Sequence, residues 1–187
     1  STYCMSIYAE EQVATTPTSV VRPADPKDSK EPKRDYLAEL EAKIKDVKIE
    51  EGKDWNFYNE AGNALNSRGE YLLAIKNLRR AADLNIACYS PQGNLSRSYF
   101  MLAKTSFSLE EKTVLLSKSL ETLGCALKLF EEYDAQKLSP KRRATQLSSI
   151  YSSYGVIYEE SGDVIRATSH MEKALQKEKV MITRTYY

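Results

Sequence analysis

The sequence predicts an all-α protein: antiparallel helical hairpins stacked side by side, behind a leading helix and a flexible N-terminal segment. Three observations predict it. Apolar residues recur at helical spacing from residue 35 to about 180, and no stretch alternates as a strand does. Four of the seven glycines form two matching pairs, Gly62 with Gly69 and Gly155 with Gly162. Four of the six prolines, Pro17, Pro23, Pro26 and Pro32, fall before residue 35.

Residues 1–34 mix those prolines with Thr, Ser, Lys, Asp and Glu. Such a segment has too little apolar surface to offset the entropy of ordering, so it reads as a flexible tail or tether. Ser1 to Glu10 resembles the end of a secretory signal peptide, with Ala9 as the small residue before cleavage. Cys4 resembles, alternatively, a lipoprotein acceptor. These readings would put the chain in the cell envelope or periplasm; otherwise it is cytoplasmic.

Residues 35–187 form the helical domain. Tyr36, Leu37, Leu40, Ile44 and Val47 make one amphipathic helix over about 35–50, which would cover one end of the stack. The first hairpin runs from Tyr58 through Ala61-Gly62 and Leu65 to Gly69, then Ala74, Leu78 and Ala81. The last repeats it as Tyr151, Tyr154-Gly155, Tyr158, Gly162, Ala167, Met171 and Ala174. Gly62 and Gly155 fall inside helices, where Gly costs about 1 kcal/mol against Ala. Close approach of a neighbouring helix explains that cost. Gly69 and Gly162 supply the turns. A degenerate copy lies between, with Tyr99, Leu102 and Ala103 in its first helix and Leu123, Ala126 and Leu127 in its second. Its link, Ser108 to Leu116, runs long, and its second helix reaches about Lys137. Ser90-Pro91 and Ser139-Pro140 each read as an N-cap followed by a first-turn proline. Val180 to Tyr187 extend the last helix or cap it.

This pattern of aromatic, large–small pair, second aromatic and later Ala resembles the tetratricopeptide repeat over about 55–179. The closing proline is replaced by Ile86 and Lys179. The resemblance implies three repeats in an α-solenoid, and a protein-binding function.

Composition narrows the chemistry. Lys and Arg total 27 against 26 Asp and Glu, so no basic surplus asks for nucleic acid. No apolar run is long enough for a transmembrane helix. Cys4, Cys88 and Cys125 lack disulfide-scaffold or metal spacing, and the single His170 completes no zinc set and reads as solvated. The glycines form no phosphate loop, and Glu131-Glu132 and Glu159-Glu160 are neighbours that diverge around a helix. No enzyme, cofactor or metal is expected. The five tyrosines of the first-helix slots are expected to pack the core.

One stripe stands out. Asn56, Asn59, Asn63 and Asn66 recur along the first helix of the first repeat. The resemblance implies that these slots face the concave groove that holds ligand segments. The middle repeat places Arg97, Phe100, Lys104 and Phe107 there, and the last Ser149, Ser152, Val156 and Glu159. Asn has both donor and acceptor for a peptide backbone. Arg97 and Lys104 would take a carboxylate, and Phe100 and Phe107 an apolar side chain. Asn63 matches one position of the clamp with which some family members hold acidic chaperone tails. Asn59, Ser149 and Ser153 stand where that clamp is basic. The expected function is a protein-interaction module, an adaptor or assembly factor or a subunit of a hetero-complex. The alternative is an envelope structural protein tethered by its N-terminal segment.

Overall fold

Five helices begin on an oxygen-bearing side chain that accepts a backbone N–H of the first turn, as a free helix N-terminus requires. Asp35 accepts from Ala38 N, Asp54 from Phe57 N, Ser108 from Glu111 N, Ser139 from Arg142 N and Asp163 from Arg166 N. The structure, a computed structural model, describes residues 34–183, with side chains as far as Lys179. The readings of Cys4, of the tail and of the last tyrosines lie outside these residues.

Among the described residues seven α-helices follow in order: α1 Tyr36–Asp46, α2 Trp55–Arg68, α3 Tyr71–Leu84, α4 Tyr89–Thr105, α5 Leu109–Leu129, α6 Pro140–Glu160 and α7 Val164–Thr183. There is no strand among the described residues. Neighbours pack in pairs, α2 with α3, α4 with α5 and α6 with α7.

The paired glycines do what their spacing demands. Gly69 and Gly162 both take left-handed backbone, φ 79° and 82°. Each turn closes with the same two hydrogen bonds. Gly69 N donates to Asn66 O and Glu70 N to Leu65 O; Gly162 N donates to Glu159 O and Asp163 N to Tyr158 O. Inside the hairpins, a Cβ on Gly62 would stand 2.4 Å from Leu78 Cγ, and one on Gly155 would stand 2.7 Å from Met171 Cε. Both glycines are sites of close helix approach. Ala74 and Ala81, Ala167 and Ala174 are buried opposite them.

Tyr58, Tyr99 and Tyr154 are buried, and Tyr151 and Tyr158 pack on the core. The Tyr58 hydroxyl donates to Glu50 O, which anchors the link between α1 and α2.

Four expectations need correction. α1 stops at Asp46, and Val47 is extended. Lys76 Nζ of α3 donates to the Lys45 and Val47 carbonyls and so satisfies the frayed end. α1 also does not cover an end of the stack: it packs on both α3 and α5. The middle link is short, since Ser108 caps α5 and Ser106 Oγ donates to Glu111 Oε2. Ser108 to Glu111 is thus a Ser-x-x-Glu start with Glu110 and Glu111 on the positive end of the helix dipole. α4 begins at Tyr89 on Cys88, two residues before the expected start; Pro91 still lies in the first turn, where no donor is needed.

Past Leu129 the chain continues through a π-helical turn, Phe130–Asp134, and a 3-10 turn, Ala135–Lys137, before α6. Arg143 Nε of α6 donates to Ala135 O at 2.6 Å and ties that connection down. α6 meets α5 far less extensively than α4 does.

Candidate functional site

The four asparagines of α2 separate on folding. At 3.6 residues per turn, Asn59 and Asn66 share a line about 60° round the helix from Asn56 and Asn63. Asn56 and Asn63 are exposed, and Asn56 Nδ2 donates to Glu60 Oε1 one turn on. Asn59 and Asn66 turn toward α4. Asn59 Oδ1 accepts from Asn94 Nδ2 at 3.0 Å, and its Nδ2 donates to Ser90 Oγ at 3.4 Å. Asn66 is 5% exposed; its Oδ1 accepts from Ser98 Oγ at 2.8 Å and its Nδ2 donates to Asn94 O at 3.3 Å. The expected free stripe is therefore half committed. Asn66 holds α2 to α4, and Asn59 belongs to the same polar seam.

On the other side of α4 the chain is open. A groove of about 590 Å³ runs between α4 and α6. Of the predicted residues it brings together Arg97, Phe100, Ser149 and Ser152, and Val156 beside them. Leu123 and Ala126 of α5, with Ile150 and Ile157 of α6, form its apolar floor. Small residues on the flanks keep it open: Ser90 and Gly93 on α4, and Ser149, Ser152 and Ser153 on α6. Asn56, Asn63, Lys104 and Phe107 lie outside it.

Ser90, Gly93 and Gln146 are groove residues that sequence reasoning missed. The signal was present: Ser90, Gly93, Arg97 and Phe100 recur at three, four and three, two turns further back along the predicted stripe. Phe107 departs from that stripe because α4 ends at Thr105 and Ser106 is extended, so Phe107 sits in the turn, fully exposed. Lys104 Nζ lies 5.7 Å from the Phe100 ring centre, a cation–π contact.

Arg97 sets the electrostatics of the groove. It is exposed, is the only charged side chain lining the groove, and makes no ion pair among the described residues. Tyr89, at one end, packs edge-on to Phe130 at 5.1 Å, and burial pushes its phenol up, so it stays neutral.

A second concavity of about 700 Å³ lies between α3 and α5, but both its cations are already paired. Lys118 pairs with Glu121 at 2.7 Å, and Arg79 with Glu41 of α1 at 2.6 Å. Arg79 Nη2 also donates to the Tyr99 hydroxyl at 2.6 Å. Burial opposes the charge on Arg79, yet the bonds from Glu41 and Tyr99 outweigh it and raise its pKa. The same guanidinium holds the Glu41 carboxyl below its ordinary value, and burial holds the Tyr99 phenol above its own.

No protein-family model, curated protein or solved structure matches this chain.

His170 is not the solvated residue expected. It stacks on Tyr154 at 4.7 Å and on Tyr158 at 5.4 Å, with Tyr151 at 6.0 Å. Three tyrosines of one helix share a face at spacings of three and four, and His170 fills the slot opposite them. Among the described residues there is no cluster of three or more His, Cys, Asp or Glu able to hold a metal ion. No described helix is long and apolar enough to cross a membrane.

Proposed function

We propose that this chain is a protein-interaction module, an adaptor or subunit of a larger complex, and not an enzyme. It would hold an extended segment of its partner along the first helices of its hairpins, in the manner of tetratricopeptide repeats. The observation that carries this reading is Arg97: an exposed charge with no ion pair among the described residues, standing over an apolar trench edged with serine hydroxyls. An apolar floor with a few polar groups on its rim is the ordinary make-up of a recognition groove. Serine hydroxyls and the Gln146 amide supply donors and acceptors for a peptide backbone.

A photo-reactive residue at Ser153, inside the groove, should cross-link to a partner protein. One at Glu172, exposed on α7, should not. Cross-linking from Glu172 with none from Ser153 would move the binding surface to the outer face of the last hairpin.

A further inference from the structure

We infer that the groove between α4 and α6 takes the middle of an extended protein segment bearing an Asp or Glu side chain beside small apolar residues, and that the segment does not run on to α2. The inference rests on the interaction-module reading and narrows it.

Charge decides the first part. Arg97 is the sole ionic side chain of the lining, and no carboxylate faces it there. Its planar guanidinium, with no ion pair among the described residues, is the group that takes a carboxylate in two parallel hydrogen bonds. In the α3–α5 concavity each cation already has its anion, so that surface offers no free cation to a carboxylate.

Position decides the second part. Lining residues continue on both sides of Arg97, with Ser90 and Gly93 before it and Phe100 and Met101 after it. Ser90 to Phe100 spans about 15 Å of helix. Four or five extended residues, at about 3.3 Å each, cover that length. A terminal carboxylate seated on Arg97 would leave one half of the trench unfilled. An internal acidic side chain leaves chain to fill both halves, with small apolar residues against Leu123, Ala126 and Ile157.

The seam decides the third part. Asn59 with Asn94 and Ser90, and Asn66 with Ser98, already satisfy the polar groups between α2 and α4. A segment crossing there would have to break those bonds, and an unsatisfied buried group is costly.

The test uses the full chain and pools of short labelled peptides blocked at both ends. One position holds Asp or Glu, Asn or Gln, or Lys or Arg; the rest vary among Ala, Val, Leu and Ser. A parallel acidic pool has a free C-terminus and no acidic side chain. Fluorescence polarisation at low salt should rank the blocked acidic pool about ten-fold tighter than the amide pool. Arg97→Glu should reverse the preference toward the basic pool with its melting temperature unchanged, since the side chain is exposed. Ser153→Trp should abolish binding of every pool.

A blocked acidic pool that binds Arg97→Glu and Ser153→Trp as tightly as the parent would overturn the inference and leave the module reading standing. So would a free-terminus pool that binds tighter than the blocked one. Failure of the parent to bind any pool below about 1 mM would overturn both readings.

Discussion

Leu78 and Met171 face their glycines from unequal footing. Leu78 is fully buried and cannot withdraw, whereas Met171 is partly exposed and has three flexible torsions. Gly62→Ala should lower stability by about 1–3 kcal/mol through overpacking. Gly155→Ala should stay within about 1 kcal/mol of the parent, because Met171 gives way and the helix gains. Urea unfolding midpoints of the two variants measure the difference, and equal midpoints would contradict it. The asparagines allow a second paired test. Asn66→Ala removes both hydrogen bonds that tie α2 to α4 there, to Ser98 Oγ and Asn94 O, and should cost about 1–3 kcal/mol, while Asn63→Ala, on the exposed line, should leave melting within about 0.5 kcal/mol.

Among the elements, α1 is the one whose placement sequence reasoning could not supply. Leu40 and Ile44 announce an apolar face, and both are buried, but nothing local tells which surface that face will meet. The answer depends on Arg79 and Lys76, more than thirty residues further along the chain. The start of α5, by contrast, was there to be read inside the expected link of Ser108 to Leu116: Ser108-Leu109-Glu110-Glu111 carries the capping pattern in plain sequence. The α1 anchor has a pH signature. The Glu41 carboxyl is held below its ordinary value in the folded state, so its contribution is present above the unfolded pKa, about 4.3, and fades as pH falls through the lower folded value. Glu41→Gln should therefore lower the melting temperature at pH 7, and the gap should close as pH falls below about 4.3 and through the lower folded value. The gap should be small, under about 1 kcal/mol, because the pair is partly exposed. A gap that does not narrow as pH falls below about 4.3 would mean the ion pair is not its source.

For the whole molecule, the two sides of α4 are unlike. Toward α2 lies a seam of amides and hydroxyls; toward α6 lies the trench. Sequence reasoning found part of each side as stripes, Asn59 and Asn66 of the seam and Arg97, Phe100, Ser149 and Ser152 of the trench, because helical spacing is a local property. It could not tell closed from open, because that depends on how far the turns of Phe130–Lys137 set α6 from α4. The same asymmetry has a dynamic result. α6 and α7 are joined to the rest through limited packing on α5 and the Lys112–Glu160 pair at 2.5 Å. Hydrogen exchange should show α6 and α7 opening at lower free energy than α2 to α5. Lys112→Ala should speed exchange in α6 and α7 and leave α2 and α3 unchanged; uniform protection would contradict this.

The two left-handed glycine turns bear on the order in which the chain assembles. Each closes a hairpin between residues near in sequence, so little loop entropy is lost before packing begins. The docking of α1 is the opposite case, since it waits for α3 and α5 to stand side by side. Contacts made late leave the folding rate alone and appear in the unfolding rate. In stopped-flow experiments Glu41→Gln should speed unfolding with folding unchanged, whereas Gly69→Ala, which strains the first turn, should slow folding. A chain built this way would nucleate at either end and fasten its leading helix last.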